Sequence, residues 1–172
     1  MHKTLMTLMG LSIGIVAVTL AGVNGFRLNL TNSAPVGIWK KTSEFQKGSY
    51  IIFCLPTSVP TTFKTALPDG QCPGGEAPLL KKIVAVENDV VTITEKQIAI
   101  NDVPIPNTTT IQLRSSENSH FPIPRGIYQV REKELWVISN RHPLSLDSRY
   151  FGAISMDTII GGATPILIFN KG

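Results

Sequence analysis

Leu79-Leu80-Lys81-Lys82-Ile83-Val84-Ala85-Val86-Glu87-Asn88-Asp89-Val90-Val91-Thr92-Ile93-Thr94 is the stretch whose pattern sets the fold class. An aliphatic run, a short polar turn at Glu87-Asn88-Asp89 and a second β-branched run spell strand, turn, strand. Alternation along the first run puts Leu79, Lys81, Ile83 and Ala85 on one face and Leu80, Lys82, Val84 and Val86 on the other. Each face is apolar except for one lysine, so one amine is expected over apolar surface while its neighbour reaches solvent. Periodicity does not choose between Lys81 and Lys82.

The same grammar continues on both sides. Tyr50 to Leu55 reads as a short buried strand entered through Lys47-Gly48-Ser49. Gln97 to Ile100 and Val103-Pro104-Ile105 flank Asn101-Asp102, two residues suited to a hairpin turn. Ile127 to Val130, Leu135 to Ser139 and Ile166 to Phe169 complete the series. After residue 40 no amphipathic helix of useful length is expected, only turns near Lys40 to Gln46 and Ser155 to Ile159. The polar segment Asn107 to Pro124 reads as a long exposed excursion between strands. The expected fold is mainly β, a coiled, barrel-like set of small sheets.

A chain of 172 residues with 42% hydrophobic and 16% charged residues can bury one core, so one domain plus one special segment is expected. The net charge of +4 comes from scattered lysines and arginines without a basic stripe, so nucleic acid is not an expected partner. From Thr4 to Phe26 there is no charge, and Leu5 to Val23 as a helix would be roughly 28 Å long, close to the thickness of a bilayer core. His2 and Lys3 before this run place the N-terminus in the cytoplasm and the rest of the chain across the membrane. A cleaved signal peptide is the alternative, with Leu20-Ala21-Gly22 as the cut region. The run exceeds a usual signal core, which favours an uncleaved anchor. The expected division is residues 1–26 as anchor (or signal segment) and 27–172 as an exported β-rich domain with a loop at 54–78.

Cys54 and Cys72 bracket a Pro/Thr/Gly-rich stretch, and two cysteines flanking such a stretch in an exported domain read as one disulfide. Free structural thiols are the alternative. A nucleophilic cysteine is disfavoured because neither lies near a histidine in sequence. No His-Glu-x-x-His spacing exists, which removes the metalloprotease reading, and no metal or cofactor is expected.

The chemistry is carried by three blocks. In Asn32-Ser33-Ala34-Pro35-Val36-Gly37-Ile38-Trp39 a serine sits on a turn braced by proline and glycine just after the apolar segment. A serine hydroxyl is a weak nucleophile that needs a base and donors for the developing oxyanion. His2, His120 and His142 do not supply the base, whereas a lysine can once burial lowers its pKa. The second block runs from Lys81 to Val91. The third is Ser145-Leu146-Asp147-Ser148-Arg149-Tyr150-Phe151-Gly152. Together they resemble the type I signal peptidase family, and within it the short conjugative-transfer peptidases of the TraF type.

That resemblance implies Ser33 as nucleophile, Lys81 rather than Lys82 as general base, and the Thr31 hydroxyl with the Ser33 N–H as the oxyanion hole. It implies that Ser145 orients the lysine amine and that Asp147 and Arg149 form a supporting ion pair. The blander alternatives are two lysines on an edge strand and a surface turn with a weak salt bridge. Ala85, Glu87-Asn88, Ser139-Asn140-Arg141 and Ser49 depart from the family pattern. The implied fold is the signal-peptidase fold with one N-terminal transmembrane helix. The implied function is a serine endopeptidase of the inner membrane, its domain in the periplasm, that cleaves exported precursors such as a pre-pilin, with other pilus-assembly proteins as partners. A general signal peptidase is the alternative within the class, and a non-catalytic pilus-assembly protein the alternative outside it. A self-cleaving cytoplasmic repressor protease is disfavoured by the anchor and the lack of a helix-turn-helix. Asn29-Leu30-Thr31 and Asn107-Thr108-Thr109 match the glycosylation sequon, a pattern common by chance.

Overall fold

The computed structural model describes Met6 and residues 22–109 and 123–169. The expected membrane anchor, His2, His120 and most of the polar excursion lie outside the described residues. Among the described residues no helix is long and apolar enough to cross a membrane.

Eleven strands form two antiparallel sheets among the described residues. They are β1 (Phe26–Asn29), β2 (Gly37–Thr42), β3 (Tyr50–Phe53), β4 (Leu79–Ala85), β5 (Val90–Ile93), β6 (Ile98–Ile100), β7 (Val103–Ile105), β8 (Gly126–Gln129), β9 (Glu134–Ile138), β10 (Ile154–Ser155) and β11 (Ile159–Ile168). The larger sheet has the order β1-β2-β11-β3-β4-β9-β10 and curls into a half-barrel; the smaller has the order β7-β6-β5-β8. Among the described residues after β1, helix is confined to two single turns, α1 (Thr61–Lys64) and α2 (Ser148–Phe151), and a 3-10 turn at Met156–Thr158.

The strand alternation is visible in the burial. In β4, Lys81, Ile83 and Ala85 are buried while Lys82 is exposed. Ile83 packs with Ile51, Phe53, Val137, Tyr150 and Ile154 in the main core, and Ala85 joins Val91, Ile98 and Trp136 in a second core between the sheets. The Asn101-Asp102 hairpin has both central residues at positive φ, 49° and 64°, the primed-turn geometry that matches strand twist. Asn88, standing where the family pattern has glycine, takes φ 70°, which asparagine tolerates better than other side chains.

Three expectations need correction. Phe26–Asn29 and Gly37–Thr42 are strands that were not anticipated, because Arg27, Leu28 and Lys41 sit exposed and blur the alternation. Ile166 to Phe169 is only the end of a ten-residue strand, β11, which runs through Gly161-Gly162. There a Cβ at Gly162 would lie 2.3 Å from the Glu44 carbonyl oxygen, so the glycines mark a close backbone approach and not a break. Finally, the alternative of two lysines on an edge strand does not hold as stated: β3 pairs with Leu79–Lys82 and β9 with Lys82–Ala85, so β4 lacks a described neighbour on one side only at Leu79–Lys81.

The stretch between the cysteines is braced. Cys54 and Cys72 form a disulfide. The stretch contains α1, and its Asp69 forms a bridge to the buried Glu76 beyond Cys72. The disulfide spans 18 residues and should contribute about 3 kcal/mol in the chain-entropy account. Replacing both cysteines by alanine is expected to lower the unfolding free energy by that amount, as read from urea unfolding of the oxidised wild type against the variant.

Candidate active site

The 30–36 connection between β1 and β2 carries Ser33. Ala34 is buried, the Trp39 indole N–H donates to the Pro35 carbonyl at 3.0 Å, and Gly37 lets β11 come so close that a Cβ there would stand 2.0 Å from the Leu167 oxygen. Small residue, proline and glycine in the block are thus explained by packing. Asn29, at the end of β1, bonds across the connection to Thr31, Ala34 and Pro35. The Thr31 and Ser33 hydroxyl oxygens are 3.2 Å apart.

Lys81, on β4, lines the same cavity as Ser33. It is 3% exposed, and its ammonium is lowered to about 8, chiefly by burial; the Asp147 carboxylate acts the other way, and the Arg149 charge adds to the lowering. Thr31, Ser33, Lys81 and Ser145 line one cavity of about 640 Å³, with Leu30, Leu67, Pro68, Pro78, His142 and Leu144 among its other walls. Ser145 is 4% exposed, and among the described residues its Oγ has no hydrogen-bond partner. His142, not expected to supply the base, belongs to the cavity wall, and its Nδ1 accepts from the Leu144 N–H at 3.2 Å.

Asp147 and Arg149 do not line the cavity; they stand behind it. Both side chains are fully buried and joined by Nε–Oδ1 and NH2–Oδ2 contacts of 2.8 Å, so the surface-turn alternative does not hold. Asp147 also accepts from the Ser139 N–H at 3.0 Å and caps α2 through the Arg149 N–H at 3.2 Å. The Arg149 guanidinium donates to the carbonyls of Ser139, His142, Pro143 and Ser145. One buried ion pair thereby fixes the whole segment that delivers Ser145. Gly152, which ends the block at φ 78° after α2, holds a conformation that suits glycine.

A connection not seen in the sequence links two blocks. Lys47 bonds Asp89 at 2.8 Å, and Asp89 also accepts from the Val86 N–H and the Asn101 amide. Burial pushes the Asp89 carboxyl up, but these hydrogen bonds and the Lys47 charge outweigh it and hold the group below the usual range. The pair ties the approach to β3 to the β4–β5 turn. A second cleft, of about 750 Å³, lies beside β8 and is lined by Glu87, Tyr128, Arg131, Glu132 and Trp136.

A serine hydroxyl with a threonine hydroxyl 3.2 Å away, and a buried amine whose pKa burial lowers, lining one cavity, are the kinds of group that acyl transfer by a serine–lysine pair requires. The chain belongs to the family described as signal peptidase, peptidase S26, whose model matches residues 2–168. Among its relatives, a plasmid transfer protein TraF of Escherichia coli is 32% identical over 164 residues, covering 90% of this chain and 91% of that one. A conjugal transfer protein TraF of Agrobacterium fabrum is 29% identical over 170 residues, covering 92% and 94%. Among solved structures, a signal peptidase I of Enterococcus faecalis matches 71% of this chain and 98% of its own, with 18% identity and a TM-score of 0.40.

Proposed function

We propose that this chain is a membrane-associated serine endopeptidase that cleaves exported precursor proteins, with Ser33 as nucleophile and Lys81 as general base, and that its substrate is a pilin-like precursor in conjugative transfer. The observation that supports the reading is that Ser33 and a buried, pKa-lowered Lys81 line one cavity. Membership of a peptidase family and similarity to conjugal transfer proteins support it.

In this reading Ser33 Oγ attacks the scissile carbonyl carbon while its proton passes to Lys81 Nζ. The oxyanion is held by the Ser33 N–H and the Thr31 hydroxyl. Lys81 then protonates the leaving amine, and the same amine activates the water that releases the acyl group. Ser145, whose hydroxyl has no hydrogen-bond partner among the described residues, orients the Lys81 amine. Beyond Lys82 the strand β4 is flanked by β9, but Leu79–Lys81 have no described strand on that side. An extended substrate segment can add there, next to the cavity. Residues 1–26 act as the anchor and 27–172 as the domain on the periplasmic side, a placement supported by the uncharged N-terminal run and by the exposed Leu28 and Leu30 at the cavity's edge.

Membranes holding the wild-type chain are expected to shorten a labelled pre-pilin to one defined product, and membranes holding Ser33→Ala to leave it intact. Equal processing by Ser33→Ala would discard the serine mechanism and favour an assembly role. The pH dependence has a definite sign. Only neutral Lys81 accepts a proton, so kcat/KM should rise with pH through a midpoint near 8. A rate that is flat between pH 6 and about 9 would remove Lys81 as the base.

A further inference from the structure

Asn29 closes β1 directly before the connection that bears Ser33, and it is half-buried there. Its amide nitrogen lies within hydrogen-bond distance of three carbonyl oxygens, those of Thr31 at 3.0 Å, Ala34 at 3.1 Å and Pro35 at 3.0 Å, which share its two hydrogens. Its Oδ1 accepts from the Thr31 N–H at 3.2 Å and from the Thr31 hydroxyl at 2.8 Å. These partners fix the orientation of the carboxamide, since three carbonyl oxygens demand the NH2 and an N–H demands the oxygen.

Counting protons then gives a direction to the neighbouring contact. The Thr31 hydroxyl has one hydrogen, and Asn29 Oδ1 has none to give, so that hydrogen is committed to Asn29. The 3.2 Å contact between the Thr31 and Ser33 oxygens must therefore run from Ser33 to Thr31: Ser33 donates, Thr31 accepts.

We infer that Asn29 is the positioning residue of the nucleophile turn: its carboxamide pins the 30–36 connection and, by holding the Thr31 proton, makes Thr31 the resting acceptor of the Ser33 hydroxyl. This rests on the Ser33–Lys81 reading above and adds an order of events to it. The Ser33 proton leaves Thr31 for Lys81 Nζ as Oγ bonds to the carbonyl carbon. The Thr31 hydroxyl, no longer an acceptor, swings its hydrogen from Asn29 to the new oxyanion. Asn29 Oδ1 keeps the Thr31 N–H, so no acceptor is left unpaired by the swing. The Asn-x-Thr spacing that resembles a glycosylation sequon is accounted for by this turn, in which an asparagine side chain bonds the backbone two residues on.

The test is steady-state cleavage of a peptide spanning the precursor's cut site by the full-length chain in detergent, with Asn29→Ala, Thr31→Val, the double variant and Ser33→Ala side by side. Asn29→Ala is expected to lower kcat about 100-fold, the scale of loss from misplacing a reacting group by about 1 Å, with KM within about threefold. The ascending pH limb should stay where it is, because among the described residues no hydrogen bond joins Asn29 to Lys81. The double variant should lose little more than the worse single one, since both act on one hydroxyl. A kcat within about threefold of wild type, a loss expressed wholly in KM, or losses that multiply in the double variant would overturn the inference. Should Asn29→Ala fail to fold, Asn29→Ser keeps an acceptor for the Thr31 N–H without the three carbonyl bonds, and at least about a tenfold loss in kcat is then required. Cleavage by Ser33→Ala would instead remove the serine–lysine reading itself, whatever Asn29 does.

Discussion

Lys81→Met is expected to abolish processing while leaving the fold at least as stable as the wild type. Removing a general base that serves both half-reactions should lower kcat/KM by about 10³-fold or more. The stability effect has the opposite sign from that of most core substitutions. Lys81 is 3% exposed, and burial lowers its ammonium to about 8, so at neutral pH the fold holds a charge that its surroundings disfavour. Methionine fills similar space without that penalty. The native amine titrates near 8 and an unfolded one near ~10.4, so between these values the unfolded chain binds more protons and wild-type stability rises with pH. Below 8 both states are protonated and the slope vanishes. Denaturant unfolding from pH 7 to about 11 should find this rise in the wild type and its absence in Lys81→Met. A Lys81→Met chain that is markedly less stable at pH 7 would mean that the charged amine is satisfied in the native state, contrary to its assigned role.

Breaking the buried ion pair is expected to be the most destabilising single change in the domain. Arg149→Met leaves the Asp147 carboxylate buried with only backbone donors, and Asp147→Ala leaves a guanidinium at 0% exposure without its counter-charge. Removing one member of such a pair costs about 3–5 kcal/mol. Either variant should also lose activity, because Arg149 donates to the Ser145 carbonyl and to three others in the same segment. Thermal unfolding followed by circular dichroism would measure the first effect and precursor cleavage below the lowered transition the second. A loss under about 1 kcal/mol for both variants would return the pair to the status of an ordinary surface salt bridge.

How much could be read beforehand follows from what each signal depends on. The strands β3 to β6 and β9 announce themselves because their buried faces are aliphatic and their turns carry asparagine, aspartate or glycine, whereas in β8 the aliphatic Ile127 faces solvent. β1 and β2 escape because their stability comes from pairing with each other and with β11, while their side chains include Arg27, Lys40 and Lys41. Gly161-Gly162 suggests a break, and only the neighbouring Glu44 backbone reveals why a long strand needs them. In the site, Ser33 and Lys81 were recognised through family blocks, not through chemistry visible in isolation. Alternation left Lys81 and Lys82 equivalent; packing beneath β4 separates them by burying one face. Asn29 carried a spacing that had a second meaning as a sequon. Its hydrogen bonds depend on a turn that folds back over three residues, which no linear pattern displays.

The most direct test of the central claim is covalent capture of the nucleophile. The full-length chain in detergent would be incubated at pH 8.5 with a serine-directed phosphonate bearing an alanine side chain, then digested and mapped by mass spectrometry. The account predicts a single adduct on Ser33 in the wild type, slowed in proportion as the pH falls below about 8, and no adduct in Lys81→Met. Labelling of another residue, or labelling of Ser33 at an undiminished rate without the lysine, would contradict it.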